Sequence, residues 1–389
     1  MKVAVVGAGI GGLTAAAYLH RNGHDVVVIE AASRLGEVGA GVQVSPNGSR
    51  VLIDLGLEAL LHQLFVTPGR IVVRRWQDDT ELTHTELGDL ARQRWGAPYY
   101  NAYRPDVITA LRSAAPEVPL VFGARLNEIR EDADSVEITC EDGQSFSADV
   151  VVGADGIHSS VRRSLFGEFP SRFSGMVAYR ALVKRELVDH LPVEATNRVG
   201  PGGHVVTYFV GENARYLNVV AIMNQDSWTT ESWTEEGDVD EMRSRFASWS
   251  PTVNDILAKV ETPVFRWALH DREPLTRWST DRCTLLGDAC HPMVPLMAQG
   301  ACQAMEDAAT LARMLELHDV PTALRAYEEA RLPRTSEFQA RSFANAVTFH
   351  LPDGEEQISR DQLFAIGTNR PDPLAMFDWI YGHDATVSV

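Results

Sequence analysis

The chain opens on an apolar run, Lys2–Val6 (KVAVV), that meets glycines at once. An unbroken apolar run of this length reads as a strand buried on both faces, as in a parallel sheet. Leu13–Arg21 (LTAAAYLHR) spaces its apolar residues at helical intervals and stops at Asn22-Gly23, as a helix C-terminus should. Asp25–Ile29 (DVVVI) is a second β-branched run, closed by Glu30. Strand, turn, helix and strand make a βαβ unit. Further on, the pattern predicts helices over Asn47–Leu55 and Leu57–Phe65, and strands Ile71–Trp76 and Glu81–Thr85 paired about Asp78-Asp79. Pro105 sits at the first position of a helix reaching Ala114, where its missing N–H costs nothing. Arg125–Ala148 alternates about Glu141-Asp142-Gly143 as a hairpin, and Asp149–Val152 is another buried strand. The middle of the chain differs: Met176–Val183, His204–Val210 and Tyr216–Met223 are strands with polar interruptions, a separate sheet. Helices over Glu241–Trp249 and Thr252–Val260, a short strand Cys283–Leu286, and long helices Gln303–Leu317 and Thr322–Val347 complete the pattern.

Composition narrows the class. With 389 residues, roughly 150 per domain suggests two or three units. Hydrophobic residues at 45% allow a large core. Lys+Arg number 35 against 53 Asp+Glu, a net charge of −18 that repels phosphate backbones and anionic lipid and argues against a nucleic-acid or membrane partner. No apolar run approaches the roughly 18 residues of a membrane span. Gly7, Gly9, Gly11 and Gly12 break the apolar start where a signal peptide needs continuity. Four scattered cysteines without a CxxC pair read as reduced thiols, and the expected location is the cytoplasm.

Gly7-Ala8-Gly9-Ile10-Gly11-Gly12 follows a strand and opens a helix. Gly7 permits the tight turn, Gly9 lets backbone approach a pyrophosphate, and Gly12 allows close helix–strand packing. The helix N-terminus favours the phosphates, and the Glu30 carboxylate is placed for ribose hydroxyls, which points to NAD or FAD rather than NADP. Two further motifs follow: Asp155-Gly156-Ile157-His158-Ser159-Ser160-Val161-Arg162, and Gly287-Asp288-Ala289-Cys290-His291-Pro292 running on to Pro295 and Ala298-Gln299-Gly300.

In this order the three motifs resemble the single-component FAD-dependent aromatic hydroxylases, the class of 4-hydroxybenzoate and salicylate hydroxylases, from residue 1 to about 345. The resemblance implies an α/β fold: a Rossmann-like FAD domain built from 1–73, 97–175 and 270–345, a substrate sheet from 74–96 and 176–269, and a C-terminal extension over 346–389. It implies that Asp155 lies near flavin and pyridine nucleotide, that Asp288 binds the ribityl–pyrophosphate region, and that Arg104 contacts the FAD. Val42 and Pro295 join the cofactor set, and the N–H groups at Gly300-Ala301 face the reduced flavin's negative edge. Arg34 fits either the adenosine end or a solvated surface. Where the family usually has Asn, this chain has Cys302. With no second GxGxxG, the resemblance implies that NADH or NADPH docks transiently, reduces the flavin and leaves.

His204 and Tyr208 lie four apart on a strand, so both point to one face. They read either as a buried hydrogen-bonded pair or as a device that positions a phenol and takes its proton. The spacing resembles the substrate-activating pair of 3-hydroxybenzoate 6-hydroxylase and 6-hydroxynicotinate 3-monooxygenase. There the resemblance implies O2 reacting with reduced flavin to an electrophilic C4a-hydroperoxide, which needs an electron-rich ring and hence a base, for which His is suited. Gln43 and Leu296 stand where the hydroxynicotinate enzymes tend to carry His, and a less basic substrate pocket is expected. Arg180 reads either as a carboxylate ligand or as a structural ion pair, and Met293, Leu296 and Met297 as the apolar wall. His291 is expected to pack near the flavin; His383 and Asp384 make no convincing metal site, and no metal is expected.

The resulting expectation is an FAD monooxygenase, monomer or homodimer, using NAD(P)H and O2 to hydroxylate a small aromatic or N-heteroaromatic hydroxy acid, with or without loss of the carboxylate. The alternatives are a flavin oxidase or dehydrogenase without oxygen insertion and a non-catalytic FAD-binding protein.

Overall fold

A computed structural model of the chain describes residues 1–35, 40–228, 236–261 and 263–387. The βαβ start forms as expected, with strands Lys2–Val6 and Asp25–Glu30 around the helix Ile10–Arg21. These strands are the centre of a five-stranded sheet in the order Cys283–Leu285, Val150–Gly153, Lys2–Val6, Asp25–Glu30, Leu120–Phe122, parallel throughout. The sheet gathers strands from four distant parts of the chain. Most of its valines are buried, on both faces, which is why these segments read as unbroken apolar runs.

The hairpin expected over 125–148 is a three-stranded antiparallel meander, Leu126–Glu131, Val136–Cys140 and Ser145–Ala148. The second large unit is an eight-stranded sheet in the order Glu236–Gly237, Val264–Asp271, Arg172–Lys184, Tyr216–Asn224, Gly203–Val210, Ala195–Gly200, Arg70–Arg75, Glu81–Glu86. Its pairs are antiparallel except Ala195–Gly200 with Arg70–Arg75. The sequence reading missed Ala195–Gly200 (ATNRVG) and Val264–Asp271 (VFRWALHD), where charged residues interrupt the apolar pattern. It also missed the helices Gly88–Trp95 and Glu355–Thr368.

The sheet corrects the expected boundaries. Cuts at 73, 175 and 269 fall inside the strands Arg70–Arg75, Arg172–Lys184 and Val264–Asp271. The last long helix runs Val320–Phe349, past 345. All three strands belong wholly to the eight-stranded sheet, so the cuts divide strands of one sheet.

The helix Gly300–Leu317 packs against both the first helix and Val320–Phe349. Four charges meet between these helices, with Glu306, Asp307 and Arg331 buried and Arg334 partly so. Arg331 Nε lies 2.7 Å from Asp307 Oδ1 and its Nη1 2.6 Å from Glu306 Oε2, and Arg334 Nε lies 2.8 Å from the same Glu306 oxygen. Desolvation works to raise the Glu306 carboxyl, but the Arg331 and Arg334 guanidiniums outweigh it and hold it at about 2. The cluster reaches outward: Asn47 Nδ2 donates to Glu306 at 2.6 Å, Gly287 N donates to Asp307 at 3.0 Å, and Arg334 donates to the carbonyl of Trp379 at 2.7 Å. The C-terminal segment is thereby tied down, with Tyr381 edge-on to Trp95 at 5.0 Å.

Removing one partner of a buried ion pair leaves an uncompensated charge, at a cost of about 3–5 kcal/mol. Arg331→Met is expected to lower the urea-unfolding free energy by that order, with loss of FAD retention. The Glu306 carboxyl is depressed in the folded state. Its contribution is therefore present above the unfolded carboxylate value and is lost as pH falls towards about 2. Urea titrations from pH 6 to pH 3 are expected to show falling stability in the wild type and a shallower fall in Glu306→Gln.

Candidate active site

Two helix N-termini face one cavity of about 570 Å³ between the two large sheets. One is the start of Ile10–Arg21, reached through Gly9; the other is the start of Gly300–Leu317, reached through Gly300 and Ala301. Both present unpaired N–H groups and the positive end of a helix dipole. A second cavity of about 310 Å³ adjoins it, sharing Gly9, Ala154, Asp155, Gly156 and His158, so the two make one continuous trough.

The glycine turn is as tight as its sequence implied. Gly7 has φ +108°, and a Cβ there would stand 2.4 Å from the Ala154 carbonyl oxygen. A Cβ on Gly12 would stand 1.9 Å from the Gly7 oxygen, so the helix could not approach its strand. In front of Gly9 the space is open. Glu30 accepts the Ala8 N–H and the Ala32 N–H, each at 2.7 Å, and it lines the smaller cavity with Arg34. Each carboxylate oxygen keeps a lone pair for a hydroxyl. Asp155 accepts from Ser159 Oγ at 2.5 Å and from the Ser160 N–H at 2.7 Å, and so fixes the turn through Gly156 (φ +76°) into the helix Ser160–Phe166.

Val42, Gln43, Arg104, Asp288 and Pro295 also line the larger cavity. Burial pushes the Asp288 carboxyl up, with His291 and Arg104 opposing. Asp288 lies by the N-terminus of Gly300–Leu317, its Oδ1 3.9 Å from where a Gly300 Cβ would be. Ala298, on the approach to that helix, holds φ +53°, a strained conformation for a residue with a Cβ. A pyrophosphate at the glycine turn, hydroxyls at Glu30 and Asp288, and a ring system at the Gly300 end are what this trough can accept. Its donors and open space fit FAD.

On the sheet side, His204, Val206 and Tyr208 alternate along Gly203–Val210 and all face the cavity. Burial pushes His204 well below its ordinary value, so the ring is neutral, and pushes the Tyr208 phenol up, so it keeps its proton. The near-neutral base expected from sequence is therefore replaced by a more weakly basic imidazole. Tyr208 fits only because residue 41 lacks a side chain: a Gly41 Cβ would stand 2.8 Å from the Tyr208 hydroxyl. Glycine inside the strand Gly41–Val44 was the available signal for that close approach. Arg180 lies over the Trp267 ring at 4.2 Å and also faces the cavity. Among the described residues it has no ion pair, and its Nε has no hydrogen-bond partner. Burial lowers it to about 10, so it remains charged at neutral pH.

Two expectations need correction. Leu296 does not line the cavity; it packs into an apolar cluster with Met176, Trp267 and Leu269. Met297 likewise turns away, and Met293 alone of that trio faces the cavity. His291, expected to pack near the flavin, is buried beside the cavity-lining Asp288, with its Nε2 2.6 Å from Asp307 Oδ2. Cys290, His291 and Asp307 bring three potential ligand atoms within 4.8 Å, but Asp307 is already paired with Arg331, whose charge would repel a metal ion. Cys302 packs against Gly48, where a Cβ would stand 2.8 Å from its sulfur.

The family described as FAD binding domain matches residues 1–342. The chain is 40% identical over 391 aligned residues to a 3-amino-4-hydroxybenzoate 2-monooxygenase of Streptomyces platensis, covering 99% of this chain and 96% of that one. It is 37% identical to a 6-hydroxynicotinate 3-monooxygenase of Bordetella bronchiseptica, over 88% of this chain and 91% of that one. A structure of Klebsiella pneumoniae HpxO with FAD and uric acid superposes with a TM-score of 0.87 at 29% identity, covering 98% and 97% of the two chains. The chain belongs to the FAD-dependent aromatic hydroxylase family. It is a flavin-dependent aromatic monooxygenase, which sets aside the oxidase and non-catalytic alternatives. Among the described residues no helix is long and apolar enough to cross a membrane.

Gly12→Ala is expected to abolish FAD retention, because the added carbon forces the first helix off its strand. The flavin-to-protein absorbance ratio of the purified variant checks this; stoichiometric flavin would contradict the placement.

Proposed function

We propose that the substrate is a hydroxylated aromatic carboxylate held by its two polar groups, with NADH or NADPH as transient reductant. The observation that carries this reading is Arg180: a charged guanidinium on the cavity wall, without a carboxylate partner among the described residues, in the same cavity as His204 and Tyr208. A buried cation left unpaired by its own protein costs free energy, and an anionic ligand offsets that cost. The surface charge of −18 works against an anionic substrate, so local groups must supply the attraction.

In this reading Arg180 binds the carboxylate, and Val206, Val220 and Ile222 pack against the ring. Tyr208, protonated, donates to the ring oxygen. His204, neutral, takes the proton of the ring hydroxyl and so raises electron density at the ortho and para carbons. Gly7, Gly9, Gly12, Glu30, Arg104, Asp155, Asp288, Gly300 and Ala301 hold the cofactor, with Arg34 at its adenosine end. Bound FAD, reduced by the pyridine nucleotide, supplies the activated oxygen.

The test is NADH oxidation by the FAD-loaded enzyme with salicylate, 3-hydroxybenzoate, 3-amino-4-hydroxybenzoate and 6-hydroxynicotinate, each beside its analogue lacking the carboxylate. A charge-assisted contact is worth about 1.5–3 kcal/mol, so the preferred acid should have a KM about 10- to 150-fold below its analogue. Arg180→Met should remove most of that difference. Equal KM values for acid and analogue in the wild type would refute the role of Arg180.

A further inference from the structure

His204 does not end at the cavity wall. Its Nδ1 lies 2.7 Å from Nε2 of His350, whose Nδ1 lies 2.7 Å from Oδ1 of Asn224. We propose that His350 is the outward half of a two-imidazole relay that carries the ring hydroxyl's proton from His204 to the helix end beside Asn224. The inference rests on the substrate reading above, and adds to it a positioning residue from an element outside the cavity.

The hydrogen bonds fix which nitrogens carry protons. An amide oxygen only accepts, so His350 must donate to Asn224 through Nδ1–H. A neutral His350 then has a bare Nε2, which accepts from Nδ1–H of His204. A neutral His204 is left with a bare Nε2, the ring atom free to meet a hydroxyl in the cavity. Asn224 thus sets the tautomer of His204 from two residues away, and makes it a base rather than a donor. Both rings are held for this. His204 is 1% exposed with Phe349 edge-on at 5.4 Å, and the His350 carbonyl accepts from the Gly202 N–H at 3.1 Å.

The step balances as a proton transfer. The substrate O–H bond breaks and its proton forms an N–H bond at His204 Nε2. The Nδ1 proton of His204 passes to His350 Nε2, leaving His204 neutral and His350 an imidazolium. That cation sits at the C-terminus of the 30-residue helix Val320–Phe349, where the helix dipole favours positive charge, and its Nδ1–H stays bonded to the Asn224 amide, which stabilises the charge without taking the proton. Burial holds His350 down at about 4 and His204 well below its ordinary value, so both rings are unprotonated and able to accept when substrate arrives. The charged side chains sharing the cavity with His204 are Arg104, Asp155, Arg180 and Asp288, with Tyr208 on its own strand. Near His350 in the chain, Asp353 is held by Trp76 and Gln77.

The experiment uses the FAD-loaded enzyme and 4-hydroxy-3-nitrobenzoate, whose phenolate absorbs in the visible, read by pH titration and stopped-flow mixing. In His350→Gln the amide oxygen still accepts from His204 but cannot take a proton onward. Its Kd for the protonated probe should match wild type, while the apparent pKa of the bound phenol rises by about one unit and phenolate appears about tenfold more slowly. Asn224→Asp puts a carboxylate at the outer end and should shift the bound pKa downward. Wild-type behaviour in His350→Gln, or shifts of the same sign in both variants, would overturn the relay alone. Wild-type enzyme that binds the probe without ionising it would overturn the substrate reading and the relay together.

Discussion

The buried charges between the two long C-terminal helices hold the active site's segments in register. Glu306 and Asp307 face Arg331 and Arg334, and several other bonds of that group reach segments that line the site. Asp307 fixes the Gly287-Asp288 turn, Glu306 holds Asn47 on the helix behind Gln43, and Arg334 anchors the last residues of the chain. Replacing such a cluster by apolar side chains would often cost little stability. What apolar side chains lack is direction: they could not orient the Gly287 N–H and the Asn47 amide as Asp307 and Glu306 do.

The same physics governs the cavity. Desolvation keeps His204 neutral and Tyr208 protonated, while Arg180 stays cationic under the same pressure because a guanidinium loses its proton so reluctantly. A weak base, a phenol donor and a fixed cation therefore coexist in one cavity. An anionic ring acid completes that set electrostatically, inside a protein whose overall charge would repel it. The helix N-termini at Gly9 and Gly300 add positive potential where negative charge must be carried.

Much of this was legible in the chain. The parallel strands announced themselves because burial on both faces demands unbroken apolar runs, and Gly7 and Gly12 because their backbones touch other backbones. The pair His204 and Tyr208 followed from the two-residue period of a strand. The strands Ala195–Gly200 and Val264–Asp271 were hidden, because Arg198 and Arg266 satisfy their charges through tertiary partners that no local pattern reveals. Leu296 was misplaced because a loop has no period from which to read its facing. His350 was invisible for a related reason: it lies 146 residues from His204 and meets it only through the docking of a helix end.

The account's central claim is that Arg180 and His204 read opposite ends of one aromatic acid. A crystal structure of the FAD-loaded enzyme with 3-hydroxybenzoate tests it most directly. The carboxylate should lie on the Arg180 guanidinium beside Trp267, with the ring hydroxyl within hydrogen-bond distance of His204 Nε2. A carboxylate bound at Arg104 instead, or a hydroxyl turned away from His204, would contradict it.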